Sequence, residues 1–407
     1  MRCGLLGRKL GHSYSPQIHS LLGDYPYLLF EKEPEELESF LRHGDFTGLN
    51  VTVPYKKDVI PYLDELSPVA ARLGAVNTIV RRNGKLIGHN TDYFGFLTMV
   101  RASGIDAKGK KALVLGSGGA SNTAVAALQE LGAHVTVISR SGENNYHNLG
   151  QHYDASVIVN TTPVGMYPNT GNAPLDLTQF PRLEAVLDVI YNPARTKLLQ
   201  QAESLGLVTA NGLLMLVAQA KEASEWFTGQ SLESELVYKI HRKLRQQMEN
   251  IILVGMPGCG KSTVGRALAK QIGKQFVDAD EFLVGMAGRT IPDIFARDGE
   301  SGFRKLETQV LEQLGKQSGL VIATGGGCVT QECNYPLLHQ NGTVFWLRRD
   351  LQKLETQGRP LSQTTGVEHL FQTRKSQYEA FSDHIVHNNG SMDAAVKEIL
   401  RIYEDMS

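Results

Sequence analysis

Four cysteines in 407 residues (Cys3, Cys259, Cys328 and Cys333) are too few and too scattered for a disulfide framework or a tetrahedral zinc site. A surplus of one charge is also missing. The 41 basic and 42 acidic residues give a net charge of -1, which argues against nucleic acid or an anionic membrane as the main partner. No apolar run is long enough to span a bilayer. None opens the chain over Met1 to Pro16, so no signal peptide is expected and the cytoplasm is the expected compartment. Internal repeats and low-complexity segments are lacking too. What remains is a chain with 42% hydrophobic residues, ample for real cores. Its length predicts roughly two to three domains.

Apolar runs alternate with helical patterns from end to end, which predicts α/β layers with mostly parallel sheets. Residues 1–95 carry dense polar motifs, and residues 96–210 carry a glycine loop with strands expected near Val135–Ile138, Val157–Asn160 and Val186–Ile190. Residues 211–248 look helical, and 249–407 open on a second glycine loop. Leu232, Leu236, Ile240, Leu244 and Met248 recur every four residues. That stripe predicts a helix packed on the first half, ending in a junction of a few residues near Glu249.

The two loops differ in kind. Gly116-Ser117-Gly118-Gly119-Ala120-Ser121 follows the apolar Ala112–Leu115 and precedes a helical stretch. Glycines here would let a backbone approach a pyrophosphate at a helix N-terminus; taken alone, the motif also fits an ordinary strand–helix turn. The next strand runs into Ser139-Arg140-Ser141 with no acidic residue beside it. An arginine there suits a 2′-phosphate, favouring NADP over NAD by about ten- to a hundred-fold for one charge-assisted contact. A solvated surface arginine is the alternative. The second loop, Gly255-Met256-Pro257-Gly258-Cys259-Gly260-Lys261-Ser262-Thr263, fits the P-loop pattern of a nucleoside triphosphate site. Its backbone N–H groups would cradle phosphates, Lys261 would reach the β- and γ-phosphates, and the Ser262 hydroxyl would meet magnesium.

Polar clusters before residue 103 suit a polyhydroxy acid held by neutral hydrogen bonds, although each one singly also fits a cap or a turn. Lys56 and Asp92 among them suit the proton transfer that accompanies hydride transfer at a carbon–oxygen bond. Several motifs together resemble shikimate dehydrogenase. They are Gly7 to His19 with His12-Ser13-x-Ser15-Pro16, Asn50 to Lys56, Asn90 to Gly95, Asn160 to Met166, Asp188 to Pro193 and Met215 to Gln219. The resemblance covers roughly residues 4–245. It implies reduction of 3-dehydroshikimate to shikimate with NADPH. By resemblance Ser13 and Ser15 hold the substrate carboxylate, Thr52, Asn77, Tyr191 and Gln219 line the ring site, and Lys56 and Asp92 form the proton-transfer pair. The cofactor set is Gly116, Gly118, Gly119, Ala120, Ser139, Arg140 and Met215. Departures from the family pattern are Lys9 for a proline, Ser139 and Ser141 around the cofactor arginine, and Leu214 for a glycine.

After the P-loop come Asp278 and Asp280, which alternate as if on a strand end and would then point the same way. Arg304 and Glu307 follow at i, i+3 on an expected helix, where a surface ion pair is worth little. The triple glycine Gly325-Gly326-Gly327 suggests close backbone approach to a ligand. Together these features resemble shikimate kinase over roughly residues 250–400. The resemblance implies ATP- and Mg2+-dependent phosphorylation of shikimate. Asp280, Arg304, Gly325, Gly326, Gly327 and Arg374 would bind shikimate, Arg359 would act on the transferring group, and Ser262 and Asp278 would hold magnesium. The nucleotide set is Gly255, Gly258, Cys259, Gly260, Lys261, Ser262 and Thr263.

The expected architecture is α/β throughout. A substrate domain (1–95 with 211–248) and a Rossmann NADP domain (96–210) precede a P-loop kinase domain (249–407) with a parallel sheet. The expected whole is a bifunctional enzyme of the shikimate pathway acting on 3-dehydroshikimate and shikimate, with NADP(H), ATP and Mg2+ as cofactors. Alternatives are a quinate/shikimate dehydrogenase fused to a kinase and a regulatory protein with degenerate sites; intact Lys56, Asp92, Lys261 and Asp280 weigh against the latter.

Overall fold

The computed structural model describes residues 1–11, 13–354 and 366–405. It divides into two compact units: Met1–Tyr191 with Leu198–Lys243, and Asn192–Lys197 with Leu244–Ser407.

The first unit holds two sheets. One contains β1 (Cys3–Gly7), β2 (Tyr27–Glu31), β3 (Gly48–Val51), β4 (Glu65–Leu66), β5 (Thr78–Arg82) and β6 (Lys85–His89). Their order is β2-β1-β3-β5-β6-β4, parallel except where β5 pairs antiparallel with β3 and β6. The second sheet contains β7 (Lys111–Leu115), β8 (His134–Ile138), β9 (Val157–Asn160), β10 (Ala185–Asp188) and β11 (Val208–Ala210). It is wholly parallel in the order β11-β10-β9-β7-β8. A parallel sheet is covered on both faces, so its inner strands read as continuous apolar runs. Val114, Val157 and Val159 pack to one side, and Leu113, Ile158 and Val186 to the other. Burying each such side chain stabilises the fold by about 1.5–3 kcal/mol. The strand expected to reach Ile190 ends at Asp188. There the Asp188 carboxylate accepts the Ile190 N–H at 3.0 Å and the Asn160 amide at 3.1 Å, which turns the chain off the sheet.

The second unit has one parallel sheet of β12 (Asn250–Val254), β13 (Gln275–Asp278), β14 (Leu320–Ala323), β15 (Gly342–Arg348) and β16 (His384–His387), ordered β13-β14-β12-β15-β16. Ile251, Leu253, Ile322 and Phe345 lie in its core. Among the described residues no helix is long and apolar enough to cross a membrane.

The striped helix spans Glu235–Met248. It starts later than Leu232 because the Leu232 N–H donates to the Glu225 carboxylate at 2.6 Å instead of entering the helix. Only Glu249 separates it from β12. Its last turn belongs to the second unit: Lys274 Nζ donates to the carbonyls of Gln246 at 2.7 Å and Gln247 at 3.3 Å, and to that of Glu249. These are the carbonyls a helix C-terminus leaves without intrahelical partners. Burial brings the Lys274 ammonium down to about 8, against the pull of Glu249. The division between units therefore falls inside this helix, after Lys243.

Candidate active sites

In the first unit β3 delivers Thr52 and Lys56 to one end of its sheet, and the turn after β6 delivers Asp92. The Lys56 carbonyl accepts the Val76 N–H at 2.7 Å, which pins the lysine backbone beside Asn77. Lys56 Nζ then donates to Asp92 Oδ2 at 2.6 Å, with 22% and 6% of the two side chains exposed. Asp92 is the first residue of the helix Asp92–Ala102, whose N-terminal field favours a carboxylate. The pair is a charge-assisted hydrogen bond with one flank open to solvent.

Asn77 sits at the centre of the polar ring around that pair. Its Oδ1 accepts the Thr91 N–H at 2.7 Å, and its Nδ2 donates to Thr91 Oγ1 at 3.0 Å and Gln219 Oε1 at 3.2 Å. Gln219 comes from the distant helix Leu213–Thr228. It reaches Asn77 because that helix packs directly on Gly95, where a Cβ would stand 2.6 Å from the Met215 carbonyl. Ser15 opens the helix Ser15–Leu22, and its N–H donates to Ser13 Oγ at 3.2 Å. Tyr191 meets Tyr14 edge-on, with ring centroids 6.1 Å apart. Burial pushes both phenols up, and Tyr14 adds to the shift of Tyr191, so they remain neutral hydrogen-bond donors at ordinary pH.

The first glycine loop leads from β7 into the helix Gly119–Glu130, with Gly118 at the N-cap and Ala120 in the first turn. Ser121 is buried, as a position reserved for a small residue should be. Ser139, buried, and Arg140, exposed, follow β8. Met215 is buried near the start of its helix.

The second unit encloses a cavity of about 570 Å³ lined by P-loop residues, Asp278, Asp280, Arg304, Glu307, the triple glycine and Arg374. Lys261 Nζ donates to the carbonyls of Gly255 at 2.8 Å and Met256 at 3.2 Å. Ser262 Oγ donates to Asp278 Oδ2 at 2.6 Å. The two aspartates do not alternate on a strand. β13 ends at Asp278, which caps the helix Ala279–Ala287 by accepting the N–H groups of Asp280 at 3.0 Å and Glu281 at 3.3 Å. Asp280 reaches the cavity from that helix. Burial, then the Asp278 charge, pushes its carboxyl upward, while Lys261 and Arg304 oppose the shift.

Arg304 and Glu307 are not a surface pair. They are 8% and 3% exposed and 2.7 Å apart, and Arg304 also donates to Glu300 at 3.1 Å. Breaking such a pair from one side leaves a buried charge and is strongly destabilising. Burial drives the Glu307 carboxyl upward against the pull of Arg304. A Cβ on Gly327 would lie 2.2 Å from an Arg304 nitrogen, so only glycine admits the guanidinium there. Arg374 donates to the Gly326 carbonyl at 3.2 Å, and so does the Tyr378 hydroxyl. His12 and Arg359, expected to act on the transferring group, lie outside the described residues.

Sequence reasoning gave no site role to Tyr27, Asn50, Glu307 or Asn388. The Asn388 amide donates to the Cys259 carbonyl at 2.8 Å and braces the P-loop. Asn50 and Glu307 lie inside motifs that could have signalled them, whereas Tyr27 and Asn388 lie outside any motif.

The comparisons with known proteins agree with this division. Residues 5–79 match the family model for the shikimate dehydrogenase substrate binding domain, and residues 257–404 match that for shikimate kinase. A shikimate dehydrogenase (NADP(+)) of Clostridium perfringens is 35% identical over 264 residues, covering 60% of this chain and 97% of the relative. A chorismate mutase/shikimate 5-dehydrogenase fusion protein from Clostridium acetobutylicum superimposes with a TM-score of 0.58 at 35% identity, over 60% of this chain and 97% of that one. The Thermus thermophilus shikimate 5-dehydrogenase in complex with NADP(H) and shikimate gives 0.54 at 33% identity, over 60% and 99%. Through its N-terminal 60% the chain belongs to the shikimate dehydrogenase family, and beyond that it carries a shikimate kinase domain.

Proposed function

We propose that this chain is a bifunctional enzyme that catalyses two consecutive reactions: NADPH-dependent reduction of 3-dehydroshikimate to shikimate, then ATP-dependent phosphorylation of shikimate to shikimate 3-phosphate. The observation that carries the reading is the presence, on one chain, of the Lys56–Asp92 pair and of the Lys261–Ser262–Asp278 cluster.

In the first reaction bound NADPH supplies the hydride. Lys56 gives a proton to the carbonyl oxygen as the carbon is reduced, and Asp92 orients the ammonium and stabilises its charge. Ser13 and Ser15 hold the substrate carboxylate, while Thr52, Asn77, Tyr191 and Gln219 hydrogen-bond the ring hydroxyls. Gly116, Gly118, Gly119 and Ala120 offer the helix N-terminus to the pyrophosphate, and Arg140 meets the 2′-phosphate.

In the second reaction Mg-ATP supplies the phosphoryl group. Gly255, Gly258, Cys259, Gly260 and Thr263 would surround the phosphates, and Ser262 and Asp278 would hold magnesium. Lys261 leaves the carbonyls of Gly255 and Met256 to neutralise phosphate charge. Arg304 and Arg374 pair with the shikimate carboxylate. Asp280 accepts a hydrogen bond from a hydroxyl, and Gly325, Gly326 and Gly327 let the ring approach the backbone.

The test supplies purified full-length protein with 3-dehydroshikimate, NADPH, ATP and Mg2+. NADPH oxidation followed by appearance of the 3-phosphate is expected. Oxidation of NADPH with no phosphate transfer, even when shikimate is added directly, would overturn the kinase half of the reading.

A further inference from the structure

Tyr27 lies on β2, two strands away from Lys56 across the order β2-β1-β3, and belongs to none of the motifs that carry the dehydrogenase reading. Its ring is stacked on His19 with centroids 4.0 Å apart and planes 10° from parallel. Its hydroxyl donates to Asn50 Oδ1 at 2.7 Å. The other end of the Asn50 amide, Nδ2, donates to Thr78 Oγ1 at 3.1 Å and to the Asn77 carbonyl at 3.4 Å. Thr78 Oγ1 in turn donates to Asn77 Oδ1 at 3.2 Å, and Asn77 Nδ2 donates to Gln219 Oε1 at 3.2 Å.

This chain of bonds has a direction. The Asn77 carbonyl can only accept, so it holds Nδ2 of Asn50 toward Thr78 and leaves Oδ1 needing a donor. Tyr27 is that donor. The threonine hydroxyl, accepting from Nδ2, lies within reach of both Asn77 Oδ1 and Thr91 Oγ1 at 3.2 Å. The Thr91 N–H donates to the same Asn77 Oδ1 at 2.7 Å, and the Asn77 amide nitrogen faces Gln219. Burial opposes ionisation of the Tyr27 phenol, so it remains a donor to the amide chain that ends in the ring site.

We infer that Tyr27 is a positioning residue of the dehydrogenase site, acting through Asn50 and Thr78 on the placement of Asn77 and, through it, of Gln219. The inference rests on the reading of the Lys56–Asp92 site as the site of hydride transfer, and NADPH oxidation by the unaltered chain tests that reading separately.

The experiment is a double-mutant cycle on the full chain. Tyr27→Phe deletes one oxygen and keeps the ring on His19. It should raise the KM for 3-dehydroshikimate about tenfold, the size of a lost hydrogen bond in a buried chain. It should leave the KM for NADPH unchanged and kcat within about threefold, since the Lys56–Asp92 pair is not touched. Asn50→Ala should raise the same KM. In that background, removing the Tyr27 hydroxyl should have no further effect, because the amide that links it to Asn77 has gone. Asn50→Ser replaces Asn50→Ala if the latter does not fold, as judged by thermal melting and retained shikimate phosphorylation. An unchanged KM in Tyr27→Phe, or effects of the two substitutions that simply multiply, would overturn the inference. A merely structural role for Tyr27 would lower the melting temperature without moving the substrate KM, and that result would overturn it too.

Discussion

In the first glycine loop a Cβ at Gly118 or Gly119 would meet open space, whereas in the second a Cβ at Gly260 would come within 2.7 Å of the Asn388 amide. The backbones differ in the same sense. Gly118 has φ of -86°, an angle open to any residue, while Gly260 sits at +96°, where an L-residue is strained. The first loop holds one glycine at a positive φ, Gly116 at +109°, where a Cβ would stand 2.9 Å from Thr161 Oγ1, whereas the second holds three, Gly255, Gly258 and Gly260. The second pattern is the more specific for that reason. The substrate pockets diverge likewise. Neutral amides and hydroxyls surround the Lys56–Asp92 pair in the first, while the second gathers the half-buried Asp280 and the buried Arg304, Glu307 and Arg374 around one cavity.

The largest expected effects separate the two chemistries. Lys56→Ala should lower NADPH-dependent turnover by about a hundredfold or more and leave shikimate phosphorylation intact. Lys261→Ala should abolish phosphorylation and spare NADPH oxidation. If either variant lost both activities while remaining folded, the comparison of two independent sites would break.

Acid should act next, on the first unit. His89 is buried against Trp226, and burial, then Arg82, brings it down to about 4; burial brings His19 down to about 3. Both values are below the unfolded value near 6.5, so the unfolded chain binds more protons in between. Stability present above pH 6.5 is therefore lost as pH falls toward 4, by on the order of 3 kcal/mol for His89. Urea midpoints measured across that range should fall for the unaltered chain and fall less for His89→Leu. Identical slopes would remove His89 from the account.

The loops themselves provide the third test. Gly260→Ala should lower phosphorylation at least about tenfold, because the added carbon meets Asn388 at a strained φ. Gly118→Ala should leave the melting temperature unchanged and act only on the NADPH KM. Equal responses in the two loops would contradict the difference drawn between them.

Smaller effects are expected from Arg140→Ala, which should raise the NADPH KM by about tenfold and leave that for NADH nearly unchanged. The smallest concerns the unit boundary. A kinase fragment starting at Asn250 lacks the carbonyls that Lys274 holds. Its urea midpoint should indicate a loss of about 1 kcal/mol relative to a fragment starting at Glu235. Equal midpoints would show that the last turn of that helix contributes nothing to the second unit.

Much of this was legible in the residues. The alternation of apolar runs announced parallel sheets, and β7, β9 and β12 lie where such runs occur, because a strand buried on both faces must be apolar throughout. The pairing of Lys56 with Asp92 was also foreseen, though 36 residues separate them. Other features were out of reach. Arg304 and Glu307 have the spacing of any helical surface pair, and nothing local reveals that the surrounding fold buries them. Asp278 and Asp280 alternate in sequence, but the strand stops between them because Asp278 turns to cap the next helix. The stripe of the Glu235–Met248 helix shows an apolar face without saying that its last turn is claimed by Lys274.

The sequence by itself determined the α/β class, the two glycine loops and the families, because these depend on residue type at short spacing. Tertiary structure alone decided which polar groups became buried and how their amides point. It set the approach of Gly95 to the Met215 carbonyl, the fit of Arg304 against Gly327, and the run of hydrogen bonds from Tyr27 to Gln219. Burial and hydrogen-bond direction are fixed by segments far apart in the chain, and no local pattern encodes them.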